Sequence, residues 1–268
     1  MKTIRLKKSL GQNLLIDKNQ IRKIMDSVSI KKTDTILEIG PGEGAITIEI
    51  AKKAKKVIAI EKDKEMVEAL ESKLGNIKNV EVINKDILDL FNDGKLEIKE
   101  KKYKVVANIP YYLTSVLIRN LLEIKNPPDD IFLMIQREVG KRICSKPGDM
   151  SILSIAVQYY ATPKILFIVP KGCFLPAPKV DSVFIQITPK GIKRNDGFFE
   201  VVKAGFSHPR KQLISNLSKE LKIDREVIGE WLIKRKLKDG IRAESLSLED
   251  WNDFYSSEYK GKSIKERG

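Results

Sequence analysis

Leu37-Glu38-Ile39-Gly40-Pro41-Gly42-Glu43-Gly44-Ala45-Ile46-Thr47 (LEIGPGEGAIT, residues 37–47) joins a strand-like run to a helix-like one. Thr35 to Ile39 reads as a buried strand. The glycines follow at once, and a helical pattern through Ile46, Ile50 and Ala54 comes next. Glycine at a strand end allows a tight turn and lets a ligand approach the backbone. The spacing is GxGxG and not the GxGxxG of dinucleotide sites, so taken alone it indicates only a strand-to-helix turn. Its surroundings are more specific. Strand-like stretches at 57–60, 80–83, 104–107 and 131–135 alternate with helical patterns, one through Met66, Val67, Leu70 and Leu74 and another through Val116, Leu117 and Leu121. This alternation predicts an α/β fold with a mostly parallel sheet covered on both faces. In such sheets ligands bind beyond the carboxyl ends of the strands.

The other strand ends carry the residues a nucleoside ligand requires. Glu61 closes the second strand, 21 residues after Gly40. A carboxylate there suits a ribose diol, because it accepts from both hydroxyls. Asp86 closes the third strand, where it either accepts from an adenine amino group or caps the short helix that follows. No GxxxxGK[ST] loop exists, which disfavours an NTPase. Glycines and an acid without a phosphate loop leave a nicotinamide dehydrogenase or an S-adenosyl-L-methionine methyltransferase. The fourth strand end favours the latter. Asn108-Ile109-Pro110-Tyr111-Tyr112 has an amide before the proline and two aromatic rings after it, more than a turn needs.

Composition narrows the partner. The chain has 268 residues, 50 Lys and Arg against 36 Asp and Glu, and a formal net charge of +14. Such a balance favours a polyanion, because each neutralised phosphate releases counterions. Two cysteines and one histidine with no CxxC pair disfavour a zinc site or a disulfide framework, so no metal is expected. No apolar run suggests a signal peptide or a membrane span, and the expected location is the cytoplasm. No amphipathic seam stands out, and the expected state is a monomer.

The ordered motifs GQNLL (11–15), EIGPGEGAIT (38–47), IEKD (60–63), KDIL (85–88), NIPYY (108–112) and FLPAPKVDS (174–182) resemble those of the small-subunit rRNA adenine-N6,N6-dimethyltransferases, the KsgA type. The correspondence runs through about residues 5–255. It implies a Rossmann-like class I methyltransferase with a smaller C-terminal helical domain, using S-adenosyl-L-methionine on two adjacent adenosines of small-subunit rRNA. By the same resemblance Asn13, Leu15, Gly40, Gly42, Glu61, Asp86 and Asn108 form the cofactor site. The macrolide-resistance type of large-subunit rRNA methyltransferase shares the NIPY and cofactor motifs and is the alternative enzyme. A non-catalytic RNA-binding assembly or transcription factor is the alternative of another class.

The chemistry of NIPY agrees with an adenine substrate. The exocyclic nitrogen is a poor nucleophile, since its lone pair is shared with the ring. Asn108 Oδ1 and a backbone carbonyl near Ile109-Pro110 can accept its two protons and favour a pyramidal nitrogen. Pro110 fixes the turn. Tyr111 is expected to stack on the base and Phe174 on its other face, with Tyr112 turned toward packing. Transfer then depends on positioning more than on a strong base.

Beyond Pro189 only helical patterns occur. Residues 1–190 are read as the catalytic domain, 191–257 as a helical RNA-contacting domain, and 258–268 as a charged mobile tail. Basic residues for phosphates lie in the N-terminal arm (Lys2, Arg5, Lys7, Lys8), around Arg137 to Lys146, at Arg210 and Lys211, and at Lys234 to Lys236.

Overall fold

The computed structural model describes residues 7, 11–94, 96 and 98–261, with the side chain of Tyr111 excepted. The roles expected of Lys2, Arg5 and Lys8, of the Tyr111 ring, and of tail residues 262–268 lie outside the described residues.

The chain divides into two compact units, residues 1–140 with 161–191 and residues 141–160 with 192–268. In the first, β1 (Leu14–Leu15) and α1 (Lys18–Val28) precede the central strand β2 (Thr35–Ile39). Then follow α2 (Thr47–Lys53), β3 (Lys56–Glu61), α3 (Lys64–Leu74), β4 (Val80–Asn84), α4 (Ile87–Asn92), β5 (Lys104–Asn108), α5 (Thr114–Glu123) and β6 (Asp130–Gln136), and the first segment of the unit ends within α6 (Arg137–Ile143). After α7 (Ile152–Tyr160), which belongs to the other unit, come β7 (Ala161–Val169), β8 (Phe174–Leu175) and β9 (Ser182–Pro189).

Seven strands form one sheet in the order β4-β3-β2-β5-β6-β9-β7. Strands β2 to β6 are parallel, as the alternation predicts. The far edge differs, because β9 inserts antiparallel between β6 and β7. β7 and β9 are joined through residues 170–181 with no α-helix between them, a connection that suits an antiparallel pair. Every residue of β2 is buried, as expected for a strand covered on both faces. The chain leaves β2 toward β3 and β4, then crosses to β5 on the other side. The crevice at that reversal, beyond the ends of β2 and β5, is where such folds bind ligands.

Caps set the geometry at these ends. Asp17 Oδ1 accepts from Gln20 N at 2.9 Å and starts α1. Asp63 Oδ1 accepts from Glu65 N at 3.1 Å and starts α3. An oxygen at this position satisfies an amide that the first turn leaves open.

The second unit adds α8 (Asp196–Gly205), α9 (Leu213–Leu221), α10 (Arg225–Lys234) and α11 (Leu248–Phe254) to α7. The cut after residue 191 lies within one residue of the expected boundary, but residues 141–160, expected in the catalytic domain, pack with the helical unit. The reason is aromatic. Tyr159 stacks on Phe198 at 4.5 Å between centroids, and Tyr160 on Phe199 at 5.6 Å. Asn216 Nδ2 donates to Gly205 O at 2.7 Å and His208 O at 3.0 Å, which holds the loop that carries exposed Arg210 and Lys211. The expected tail begins too early, because Tyr259 is buried.

Candidate active site

The glycine loop leaves β2 with left-handed backbone at Gly40 (φ 70°) and Gly42 (φ 56°). A Cβ on Gly40 would lie 3.2 Å from Asn108 O, and one on Gly42 only 2.8 Å from Leu14 Cδ2. Both positions need glycine for conformation, and at Gly40 the Asn108 backbone oxygen also leaves little room, whereas the Leu14 side chain could give way.

Glu61, at the end of β3, binds this loop from below. Its Oε2 accepts from Gly42 N at 3.2 Å and its Oε1 from Asp63 N at 2.9 Å. Burial raises its pKa, and these amides counteract the rise. Asp86 is both a cap and a pocket wall. Its Oδ1 accepts from Leu88 N at 2.9 Å and its Oδ2 from Lys62 Nζ at 2.7 Å. Burial alone would raise its pKa, but the Lys62 ammonium and the Leu88 amide bring it below the usual range.

The N-terminal segment covers the mouth. Asn13 Nδ2 donates to Gly11 O at 3.1 Å, and Asn108 Nδ2 donates to Asn13 O at 3.0 Å. Gln12 Nε2 donates to Asp63 Oδ2 at 2.8 Å, and Lys7 Nζ reaches Asp63 Oδ1 at 2.7 Å. With Nδ2 committed, Oδ1 is the end of the Asn108 amide that can accept from a substrate. Pro110 O accepts from Leu113 N at 3.0 Å, which closes the 3-10 turn Tyr111–Leu113.

Two cavities meet here. The first is lined by Asn13, Gly40, Gly42, Glu61, Asp86 and Asn108, with Pro110 and Tyr112 at its rim. The second, about 670 Å³, runs past Leu15, Glu38, Pro41 and Ile46 toward α1. Leu14, Gly40 and Asn108 border both.

Most of the residues read as cofactor ligands thus converge on one crevice. Leu15 walls the second cavity and not the first. Phe174 departs from its expected role: it is 3% exposed and packed in the apolar cluster with Leu15, Ile24 and Met25. A ring so enclosed serves as core and offers no face to a base, because pairing with β1 turns it inward. Tyr112 also departs, since it is 62% exposed at the mouth and not packed.

Glu38 was missed. It is the fourth of the five residues of β2, buried, and its Oε2 has no hydrogen-bond partner. Burial pushes its pKa up to about 8, with the Thr47 hydroxyl opposing and the Glu61 carboxylate adding to the rise. The signal was present: an acid in a strand buried on both faces is anomalous unless something uses it. This orphaned oxygen, beside a backbone cradle that a Cβ would fill, fits an amino-acid ammonium and a nucleoside. Among the described residues no group of His, Cys, Asp or Glu is placed to hold a metal ion.

The sequence model of the family described as ribosomal RNA adenine dimethylase matches residues 3–259. A protein of Dehalococcoides mccartyi called ribosomal RNA small subunit methyltransferase A is 38% identical over 97% of this chain and 90% of its own. One of the same name from Alkaliphilus oremlandii is 42% identical over 91% of this chain and 88% of its own. Among solved structures, a dimethyladenosine transferase from Plasmodium falciparum superposes with a TM-score of 0.74 at 25% identity, covering 91% of this chain and 98% of that one. The fold is that of the α/β methyltransferases, and the chain belongs to the ribosomal RNA adenine dimethylase family.

Proposed function

We propose that this protein transfers methyl groups from S-adenosyl-L-methionine to N6 of two adjacent adenosines in a small-subunit rRNA loop, forming N6,N6-dimethyladenosine. The observation that carries this reading is Asn108. It stands at the carboxyl end of β5, where two cavities meet, with its amide nitrogen bound to Asn13 O and its oxygen left to accept.

In this reading Glu61 holds the ribose hydroxyls and Asp86 stands beside the adenine of the methyl donor. Apolar Ile60, Met66 and Ile87 flank that base. Glu38 receives the ammonium of the amino-acid end, and that charge brings the carboxyl to its ionised form. When bound, S-adenosyl-L-methionine supplies an electrophilic methyl group on a sulfonium whose departure leaves a neutral thioether.

The target amino group presents two N–H bonds. Asn108 Oδ1 accepts one. The Pro110 carbonyl is taken by Leu113 N, so Ile109 O is the backbone acceptor for the other. Two acceptors on one side of the nitrogen draw its lone pair out of conjugation and aim it across the crevice. Such fixed dipoles act where charge develops and require no reorganisation. Tyr111 stacks on the target ring. The surplus proton is acidic once the nitrogen has been alkylated and passes to solvent, so a strong base is not needed.

A basic surface in both units, Arg137 in one and Arg210 with Lys211 in the other, holds the surrounding phosphates. The working form is a cytoplasmic monomer. Methyl-labelled S-adenosyl-L-methionine offered to unmethylated small and large subunits tests the reading. Label in two neighbouring adenosines of the small-subunit rRNA is expected, and label confined to large-subunit rRNA would overturn it.

A further inference from the structure

The ribbon of β1 and β8 is apolar on both faces. Leu14 pairs with Leu175 and Leu15 with Phe174, so the two pairs project to opposite sides. The Leu15–Phe174 side is core. A ribbon buried on one side only is expected to be polar on the other. Here the outer side carries Leu14, Leu175 at 56% exposure, and Ile16 at 54%, whose N–H extends the ribbon by donating to Cys173 O at 2.9 Å.

Leu14 fixes the direction of this outer face. It reaches toward Gly42 and borders both cavities at their junction. Ile16 lines the second cavity, which Asn108 also borders, and Leu175 pairs with Leu14 beside it, so Leu175 and Ile16 form a ledge next to that cavity. Exposed Tyr112 bounds the first cavity near Gly11.

Large apolar side chains clustered in water mark a surface that something covers. The occupant follows from charge and place. The chain carries a net charge of +14, so its partner brings phosphates to Lys and Arg. The apolar part of such a partner is the faces of its bases. A target base leaves its stack to react, and its neighbour then loses a stacking surface. The geometry points to Leu175 and Ile16 as a ledge that takes an unstacked nucleobase beside the target adenine, replacing the stacking that the target gave up. The ledge rests on the rRNA-adenine reading and adds to it the contact that holds the target's neighbour.

The test uses an RNA hairpin with 2-aminopurine next to the target adenosine, bound by the full protein. Wild type is expected to raise its emission as the base unstacks onto the ledge. Leu175→Ser and the double variant Leu175→Ser/Ile16→Ser are expected to lose this rise and to weaken RNA affinity about tenfold. Leu175→Met restores both. The salt dependence of binding stays unchanged, since no phosphate contact is lost. S-adenosyl-L-methionine affinity of Leu175→Ser equals wild type. Wild-type emission and affinity in Leu175→Ser would overturn the ledge. So would a wild type that fails to bind the RNA, or a loss of affinity for whole subunits with the hairpin unaffected, which would indicate a protein contact. If wild type binds the hairpin yet labels no small subunit, the functional reading falls while the titration still scores the ledge.

Discussion

The two halves of the crevice are built on opposite principles. At the carboxyl ends of β2, β3 and β4 the surface is polar, and each group is held by its own strand end and the neighbouring one. Glu61 is tied to Gly42 N and Asp63 N, and Asp86 to Leu88 N and Lys62. At the other side, beyond β5, the surface is apolar and is held by distant parts of the chain: the β1–β8 ribbon pairs residues 14 and 15 with 175 and 174. A small ligand with fixed polar groups is recognised by local hydrogen bonds. In the proposed reading a base that arrives from a large RNA meets the Asn108 amide, exposed Tyr112 and the apolar ledge. If that reading holds, the difference makes binding and turnover separable by mutation.

The largest effect should come from Asn108→Ala, which removes the acceptor at the junction. Methyl transfer at saturating substrates is expected to fall about 10²- to 10³-fold, as when one preorganised polar partner of a reacting group is lost. Initial rates with labelled methyl donor measure it, and a loss below threefold would erase the distinction between the halves.

Glu61→Ala attacks the other half. Losing a charged acceptor for hydroxyls costs about 1.5–3 kcal/mol. The dissociation constant for S-adenosyl-L-methionine, by calorimetry, is expected to rise about 10- to 150-fold, with RNA affinity unchanged.

Glu38 sharpens the comparison through pH. Its folded-state pKa, about 8, lies above the ordinary glutamate value of 4.5. The folded state therefore binds more protons than the unfolded state between these values. Stability from this group is present below the unfolded pKa and is lost as pH rises toward the folded one, by up to about 1.4 kcal/mol per pH unit. Melting of the ligand-free protein from pH 5 to 8 should show this slope, and Glu38→Gln should reduce it to the part that the raised pKa of Glu61 leaves.

The smallest effect is expected from Gln12→Ala, which removes one bond of the covering segment to Asp63. A loss of about 1 kcal/mol in cofactor affinity, with unchanged melting, is predicted.

What could be read from the sequence follows the same division. Gly40, Glu61, Asp86 and Asn108 each sit within a few residues of a strand end, so hydrophobic pattern plus residue type locates them. Phe174 was misplaced because its environment depends on pairing with Leu15, far away in sequence. A period-two pattern cannot show which face of a two-residue strand is buried. The antiparallel insertion of β9 and the transfer of residues 141–160 to the helical unit were hidden for the same reason. Tyr159 and Tyr160 look like any apolar helix end until Phe198 and Phe199 are found against them. Glu38 was readable but passed over, since a lone acid in a strand is easily counted as solvent-facing.

The most direct test is single-turnover methyl transfer by Asn108→Ala and Glu61→Ala on preformed complexes with RNA, over a range of S-adenosyl-L-methionine reaching far above the weakened dissociation constant. At saturation Glu61→Ala is predicted to recover the wild-type rate constant, while Asn108→Ala remains about 10²-fold or more below it. Recovery of both variants, or of neither, would contradict the assignment of binding to one side of the crevice and turnover to the other.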